Sequence, residues 1–420
     1  MESRITNSSP TTITPILKFV GAFLIAGLIL SLIVLFVEFS FGNGDGIWFD
    51  LDIRRTTFSF LSWSAVVAVV VMLLFSKVSY IRSITFSILT TLILLFGIEK
   101  LCRFIISMRT PAPKASVQAG PAFERIDWKE SAMEDDILGV KAKPNLSFKW
   151  APVHKGIAYD SIHISTDQFS RRITPRADSL PRPRYAMFLG CSYTYGDGVS
   201  DNETLPYYFQ KEAIDYQSYN YGFLGYSPLH ALARLQKSNL KEQMPQQNGF
   251  GVFTLINDHL DRVIPASRWI EITKGRFPYL NESTMQTDGT FDQRRRLYTT
   301  FVTNFQSTGL KEMLRWGYPR FHTPEHEELL AKIIVKARDE YVSRFQNQNF
   351  YVIIFPGNPA SETIIRLFKE KGIQYFDYSK LIDLKTNMLG FDNAHPKAVV
   401  YQAVAHKLVA DLNCRVSPAH

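Results

Sequence analysis

Residues 185–196 read YAMFLGCSYTYG, in which an uninterrupted apolar run at 185–189 is followed by glycine, cysteine and serine. Such a run is typical of a buried strand in a parallel sheet. Four more apolar runs follow, at residues 218–221, 251–256, 351–355 and 374–378. Stretches with helical character lie between or after them, at residues 203–214, 228–237, 325–345, 361–371 and 396–412. This alternation predicts an α/β fold with helices on both faces of a parallel sheet.

A serine, a histidine and an aspartate stand at positions suited to acyl transfer. Ser192 closes the first run, and Asp392 and His395 share one loop before a helix that Pro396 can start. A serine hydroxyl is a weak nucleophile until a histidine takes its proton and a carboxylate orients that histidine. We therefore expect Ser192 to be the nucleophile, His395 the general base and acid, and Asp392 the residue that orients His395. Taken singly, each pattern is more often that of a helix cap or a turn than of a catalytic residue.

Four sequence blocks resemble the SGNH (GDSL-like) hydrolase family, in the family's order and across about residues 184–409. They are FLGCSYTYGDGV, YNYGFLGYS, LIND and DNAH. Cys191 stands where the family has aspartate, and Leu255 stands where it has glycine. The turn after the first run lacks the second glycine of G-x-S-x-G, so it does not match the nucleophile elbow of α/β-hydrolases.

The resemblance implies a flavodoxin-like three-layer α/β/α domain with a parallel sheet. It also implies an oxyanion hole made by the backbone N–H groups of Ser192 and Gly225 and the side-chain amide of Asn257. Gly222, three residues before Gly225, is the alternative glycine. His259, directly after Asn257-Asp258, is either a substrate-binding residue or a buried structural histidine.

No metal or organic cofactor is required by this chemistry. His322 and His326 lie four residues apart, but no H-E-x-x-H pattern surrounds them, so no metal site is predicted. The three cysteines have no metal-ligand spacing and imply no disulfide framework.

Residues 1–108 contain three apolar segments, at residues 19–37, 58–75 and 83–98, and residues 101–108 can extend the third. Their lengths predict three transmembrane helices. A cleaved signal peptide would need a small-residue site after the first segment, and none follows. The numbers of lysines and arginines on the two sides of the membrane do not fix the orientation of the predicted helices.

Three regions follow from these patterns. Residues 1–108 form the membrane region, residues 109–184 a linker with a small β-rich region, and residues 185–420 the hydrolase-like domain. Residues 265–318 break the alternation of runs and helices and are too long for a simple connection, which predicts an insertion that shapes or covers the site.

The net charge of +8 suits anionic lipid headgroups or an anionic substrate, whereas the chain lacks the basic stripe and module of a nucleic-acid-binding protein. We expect a membrane-anchored serine esterase or O-acyltransferase that acts on acyl esters of envelope carbohydrate or lipid. By the same resemblance, we expect it in the bacterial inner membrane with its catalytic domain in the periplasm. The sequence does not identify protein partners.

The alternative is a non-catalytic envelope scaffold of the same fold that binds glycan or protein partners, since Cys191 and Leu255 are departures that can accompany lost activity. A transporter or sensor is disfavoured because the apolar segments offer no charged pathway.

Overall fold

The computed structural model describes residues 78–109 and 131–416, except 177 and 180, together with a few isolated positions before residue 78. The chain divides into two compact units, residues 1–109 and 110–420.

Among its described residues, the first unit contains a short antiparallel pair and one long helix. Strands β1 (Ile47–Trp48) and β2 (Leu51–Asp52) pair with each other, and helix α1 spans Ser79–Arg109. Within α1, Ser79–Met108 is long and apolar enough to cross a membrane, and the most apolar part of it is not buried. At 1.5 Å per residue this helix exceeds the hydrocarbon thickness of roughly 30 Å.

Helix α1 contains the third predicted membrane segment. It is the one helix of this kind among the described residues, whereas the sequence predicts three. The other two predicted segments, at residues 19–37 and 58–75, lie almost entirely outside the described residues.

The described part of the second unit, from residue 131, begins with three small antiparallel pairs. These are β3 (Ala132–Asp135) with β4 (Gly139–Ala142), β5 (Ser147–Trp150) with β8 (Ile162–Ser165), and β6 (Val153–His154) with β7 (Ile157–Ala158).

Five of the next seven strands form one parallel sheet, and each matches one of the five predicted runs. The seven strands are β9 (Arg184–Leu189), β10 (Tyr216–Asn220), β11 (Asn248–Leu255), β12 (Pro278–Asn281), β13 (Gln286–Thr290), β14 (Phe350–Ile354) and β15 (Gln374–Asp377). The sheet order is β10-β9-β11-β14-β15. Counted along the chain this is the 2-1-3-4-5 order of flavodoxin-like sheets, whose topological switch point lies between β9 and β11.

Helices connect and cover these strands. They are α2 (Ser192–Tyr195), α3 (Leu205–Glu212), α4 (Pro228–Lys237), α5 (Leu240–Gln243), α6 (His259–Val263), α7 (Ser267–Thr273), α8 (Phe291–Arg294), α9 (Arg296–Gln306), α10 (Gly309–Leu314), α11 (Pro324–Phe345), α12 (Glu362–Glu370) and α13 (Ala398–Asp411). The last begins at Ala398, two residues after the proline from which the sequence predicts it.

Alternate residues of β9 enter two different hydrophobic cores, as strand geometry requires. Phe188 packs on one face with side chains of α3 and α13, and Met187 packs on the other with side chains of α4, α11 and α12. Burying a large apolar side chain contributes about 1.5 to 3 kcal/mol. The unit is therefore a three-layer α/β/α arrangement around a parallel sheet.

The predicted insertion, residues 265–318, contains α7, β12, β13, α8, α9 and α10. It has a small hydrophobic core of its own, formed by Ile270, Phe277, Phe291 and Val302.

Candidate active site

Ser192 lies just past the end of β9, at the switch point of the sheet. Strand β9 ends at Leu189, and Ser192 is already the first residue of α2. The turn between them depends on Gly190, whose φ is +154°, because a Cβ at this position would collide with the Thr194 side chain. This tight turn leaves the Ser192 side chain at the edge of a cavity.

The structure brings Ser192, His395 and Asp392 into one chain of contacts. The Ser192 Oγ atom lies 3.0 Å from His395 Nε2, and His395 Nδ1 lies 2.6 Å from Asp392 Oδ2. Both distances are within hydrogen-bond range. With Nδ1–H donating to Asp392, Nε2 is left to accept the proton of the Ser192 hydroxyl.

The loop that carries His395 is held by the other oxygen of Asp392. Asp392 Oδ1 accepts from the backbone N–H of Ala394 at 2.9 Å and from that of His395 at 3.2 Å. Burial pushes the pKa of Asp392 upward, but the hydrogen bonds from the His395 ring and these two N–H groups outweigh it and lower the pKa below its ordinary value. Asp392 therefore stays ionised at neutral pH, as a carboxylate that orients a histidine must.

Tyr193 supports the same loop from α2. Its hydroxyl donates to the carbonyl of Ala394 at 3.0 Å, and its ring lies 5.8 Å from the His395 ring, edge to face. A hydrogen bond thus joins α2, which carries Ser192, directly to the loop that carries His395.

Gly225, the preferred oxyanion-hole glycine, lines the same cavity as Ser192 and His395. Its φ of +74° lies in the left-handed region that favours glycine. Gly222 instead packs against the turn, where a Cβ would come within 2.6 Å of the Tyr195 backbone nitrogen. Between the two glycines, Gly225 is the one positioned to present an N–H group to a ligand beside Ser192, whose own N–H has no helical partner at a helix start.

Asn257 occupies a less favourable position than the sequence suggests. It follows β11 at the same edge of the sheet, and its backbone N–H donates to Asn358 Oδ1 at 3.1 Å. The residue is exposed, and it is not part of the cavity lining that contains Ser192 and Gly225. Its role as an oxyanion donor stays a prediction.

Both departures from the family pattern are buried. The Cys191 side chain belongs to the hydrophobic core rather than to the cavity. Leu255 keeps regular pairing with Ile354, so the larger side chain leaves the backbone of β11 in register to its end. Neither side chain lines the cavity.

His259 lies behind the cavity rather than in it. Its side chain is fully buried, its Nδ1 accepts from the Ile256 N–H at 3.3 Å, and its ring lies 5.2 Å from that of Phe253. Burial, followed by the positive charge of Arg262, lowers the pKa of His259 well below its ordinary value. This neutral buried residue fits the structural interpretation of His259, not the substrate-binding one.

His230, a histidine that was not predicted from the sequence, lines the cavity. Its Nδ1 accepts from the Ser227 N–H at 3.0 Å, and its ring stacks on Tyr226 with centroids 4.2 Å apart. Burial, with Arg262 and Arg234 nearby, also lowers its pKa well below the ordinary value. Its place in the third position of α4, where it completes a capping box with Ser227, is the signal that points to this neutral acceptor.

The cavity beside Ser192 has a volume of about 630 Å³. The insertion contributes much of its wall through Trp269, Ile272 and Phe277. A larger cavity of about 800 Å³ lies on the other side of Phe277, against α11, and contains none of the three residues of the Ser192 contact chain. The smaller cavity is therefore the one suited to acyl transfer.

Asp197, which was not predicted from the sequence as a site residue, also lines this cavity. Its Oδ2 atom lies 3.6 Å from His395 Nε2, and its side chain is 6% exposed. It lies between Gly196 and Gly198, which both have a φ of +83°.

A buried arginine fixes the loop that carries Asp197. The Arg172 guanidinium pairs with Asp201 at 2.8 Å and donates to the carbonyl of Tyr195 at 2.9 Å. It also donates to the carbonyls of Gly196 and Val199. The Asp197 N–H donates to the Ser192 carbonyl at 3.0 Å, so its side chain emerges from a backbone held on both sides.

The two histidines with metal-like spacing have separate partners. His322 Nε2 lies 2.7 Å from Asp261 Oδ1, and His326 Nδ1 accepts from the Thr323 N–H at 3.1 Å. Within the described residues, no group of three or more histidine, cysteine or acidic side chains is placed to hold a metal ion.

No protein-family model matches the chain, and no curated protein matches it. Among solved structures, it is similar to the carbohydrate acetylesterase Est24 from Sinorhizobium meliloti, with 11% identity and a TM-score of 0.32 over 55% of this chain and 98% of that one. It is also similar to the acetyl xylan esterase Est2A from Butyrivibrio proteoclasticus, with 13% identity and a TM-score of 0.33 over 61% and 66% of the two chains. A third, described as a lipolytic protein of the G-D-S-L family from Desulfitobacterium hafniense DCB-2, has 12% identity and a TM-score of 0.32 over 54% and 98%. At such low identity and TM-score, function has to be inferred from the residues of this chain.

Proposed function

We propose that the protein is an SGNH-type serine esterase or acyltransferase in which Ser192 is the nucleophile. The observation that carries the proposal is the contact chain Ser192–His395–Asp392, with 3.0 Å and 2.6 Å between its successive polar atoms. A hydroxyl, an imidazole and an ionised carboxylate in this order are the arrangement that activates a serine.

The reaction follows from this geometry. Ser192 Oγ attacks the carbonyl carbon of an ester while its proton passes to His395 Nε2, and Asp392 stabilises the resulting imidazolium. The N–H groups of Ser192 and Gly225 are the proposed donors to the carbonyl oxygen as it becomes negative. When the intermediate collapses, the bond to the leaving alcohol breaks and Nε2 returns the proton to that alcohol. Water or a second alcohol then attacks the acyl-enzyme by the same steps in reverse.

For the substrate, we propose acyl esters of envelope carbohydrate or lipid, with the catalytic unit anchored to the bacterial inner membrane and exposed to the periplasm. The apolar helix α1 and the net charge of +8 support placement beside an anionic membrane. Apolar and aromatic walls beside polar groups in the Ser192 cavity suit an acyl ester.

A fluorophosphonate probe tests the proposed nucleophile. We expect covalent tagging of the full-length protein in detergent, complete loss of tagging in Ser192→Ala, and strongly slowed tagging in His395→Ala. Ser283→Ala, which changes an exposed serine of the insertion, is the matched control and should be tagged like wild type. If the folded wild-type protein is not tagged, the esterase proposal is wrong and the non-catalytic scaffold is favoured.

The membrane setting is tested separately by fractionation. We expect the full-length protein to stay in the membrane fraction after an alkaline carbonate wash, and protease added outside spheroplasts to cleave its catalytic unit. Release by the wash contradicts the anchor, and complete protection from protease contradicts the periplasmic side.

A further inference from the structure

The longest helix of the insertion carries a row of apolar side chains on its outer side. In α9, Leu297, Phe301 and Phe305 are spaced four residues apart and therefore lie on one face of the helix. Leu297 is 88% exposed and Phe301 is 54% exposed. Scattered apolar side chains are common on protein surfaces, whereas a contiguous row of them marks a surface that binds something.

The buried face of α9 is less apolar than this exposed row. It carries Thr299, Val302 and Gln306, of which Val302 belongs to the small core of the insertion. A helix at the surface of a soluble domain turns its apolar side chains toward the core and its polar side chains toward water. In α9 this pattern is largely reversed, which indicates that the exposed row is covered by an apolar partner.

The row continues into the segment that follows α10. The ring of Phe301 stacks on that of Phe305 with centroids 5.5 Å apart, and the Trp316 ring meets Phe305 edge to face at 5.2 Å. Trp316 also packs against the small core of the insertion, which fixes its position. Together with Leu297, these three aromatic residues form the outer stripe.

Basic residues outnumber acidic ones around the outer stripe. Residues 291–321 contain six basic residues and two acidic ones. Arg296 precedes Leu297, Arg315 precedes Trp316, and both arginines are exposed. A surface that combines positive charge with leucine and aromatic side chains is complementary to anionic lipid headgroups above hydrocarbon.

We propose that the outer stripe binds the surface of a bilayer that contains anionic lipid. Leu297 and Phe301 enter the boundary between headgroups and acyl chains, and Arg296 and Arg315 contact lipid phosphates. This inference rests on the proposed membrane setting but not on catalysis by Ser192. A bilayer is favoured over a protein partner because α1 of the same chain is long and apolar enough to cross one.

Hydrogen exchange, measured by mass spectrometry on the full-length protein in nanodiscs, tests the proposal. One set of nanodiscs contains phosphatidylcholine alone, and the other contains phosphatidylcholine mixed with anionic phosphatidylglycerol. Both leaflets of a nanodisc have the same composition, so the orientation of the protein does not affect the comparison. The exchange is measured at low salt, because salt screens the attraction between arginines and headgroups.

We expect the amides of residues 296–316 to exchange about tenfold more slowly in the anionic nanodiscs than in the phosphatidylcholine ones. The double variant Leu297→Ser, Phe301→Ser should lose this difference. Ile157→Ser, which changes an exposed apolar residue outside the insertion, should keep it. Each comparison is made between two lipids for one variant, so a change in helix stability caused by serine affects both measurements alike.

The charge of the outer stripe is tested in the same way. Arg296→Gln combined with Arg315→Gln should shrink the difference between the two lipids. Arg366→Gln, which removes an exposed arginine of α12, is the matched control and should leave the difference unchanged.

The other outcomes separate this proposal from the proposed membrane anchor. Equal exchange in wild type that co-elutes with both kinds of nanodisc overturns the lipid contact and leaves the anchor intact. Co-elution with anionic nanodiscs alone, abolished by the double serine variant, supports the lipid contact and contradicts the anchor. Co-elution with neither kind contradicts both.

Two further results would overturn the lipid contact. A difference between lipids that persists in the double serine variant would show that other residues bind the anionic surface. Slower exchange of residues 296–316 in lipid-free detergent as the protein concentration rises would show that a second copy of the chain covers the outer stripe.

Discussion

The indole ring of Trp269 covers Gly225 so closely that a Cβ on Gly225 would lie 2.7 Å from the ring. The Arg262 guanidinium lies over the same indole, 4.8 Å from its centroid, and donates to the Tyr226 carbonyl at 2.8 Å. Trp269 belongs to α7 in the insertion, whereas Gly225 follows β10. The insertion therefore holds the backbone segment that supplies a proposed oxyanion donor.

Gly225→Ala is expected to lower kcat for p-nitrophenyl acetate by about 10²- to 10³-fold, the loss typical of removing one oxyanion-hole donor. The alanine is strained at a φ of +74°, and its methyl group meets Trp269, so the 225 N–H is displaced. Gly317→Ala is the control, because a Cβ there comes no closer than 3.7 Å to the Ser267 side chain. Near wild-type kcat in a folded Gly225→Ala protein would show that this N–H is not an oxyanion donor.

Asp392→Asn is expected to lower kcat by about 10⁴-fold with little change in thermal stability. An amide oxygen can still accept from the Ala394 N–H and keep the turn, but it cannot stabilise the His395 imidazolium as a carboxylate does. Asp383→Asn is the control, because Asp383 accepts from the Lys385 N–H in another turn of the same connection. A kcat within tenfold of wild type would remove Asp392 from the proposed mechanism.

Acid is expected to destabilise the catalytic unit through its buried neutral histidines. The pKa values of His230 and His259 are lowered well below 6.5 in the folded protein by burial and by the charge of Arg262. Below pH 6.5 the unfolded chain therefore binds protons that the folded chain does not, and each histidine lowers the free energy of unfolding by about 1.4 kcal/mol per pH unit until its folded pKa is reached. Above pH 6.5 the two histidines are neutral in both the folded and the unfolded protein, so their contribution to the free energy of unfolding no longer changes with pH.

Denaturant unfolding at pH 7.5 and 5.5 measures this effect. The loss of stability at pH 5.5 should be smaller in His230→Gln than in wild type. The loss should be unchanged in His406→Gln, because the His406 side chain is 78% exposed. Equal losses in wild type and His230→Gln would contradict the assignment.

Arg172→Leu is expected to lower the free energy of unfolding by about 3 to 5 kcal/mol, because it leaves the buried Asp201 carboxylate with hydrogen bonds from Ser165 but without its ion-pair partner. The two side chains are only 0% and 5% exposed. Arg172→Lys should restore little, since an ammonium cannot reproduce the planar set of guanidinium donors. The exposed pair Arg366–Glu370 provides the control, and Arg366→Gln should cost at most about 1 kcal/mol in the same unfolding experiment. If Arg172→Leu lowered the free energy of unfolding no more than Arg366→Gln does, Arg172 would not be the residue that fixes the loop.

The sequence contained enough local information to predict the sheet and the contact between His395 and Asp392. Short apolar runs separated by helices are local patterns, and Asp392 and His395 share one turn. The approach of Ser192 to His395, 203 positions along the chain, was predicted from the partners that a serine nucleophile needs and from the order of the four blocks that resemble the SGNH family.

Other parts of the site depend on contacts between distant segments. In the sequence, Asp197 looks like a turn residue between two glycines. Its place beside His395 depends on the distant Arg172, which precedes β9 and donates to the carbonyls of Gly196 and Val199. Trp269 lies in a segment without a regular pattern, so its contact with Gly225 has no local signal. The sequence held one clue to Asp197: it is a charged residue between two glycines, shortly after the strand that Ser192 follows.

The reactive groups and the cavity wall come from different connections of the same sheet. Ser192 follows β9 and His395 follows β15, whereas Trp269, Ile272 and Phe277 belong to the insertion between β11 and β14. Replacement of that insertion by another segment would alter which molecules fit, and it would remove the contact of Trp269 with Gly225, while Ser192, His395 and Asp392 kept their places. The choice of substrate can thus diverge in proteins built on this plan while the groups that transfer the proton stay the same.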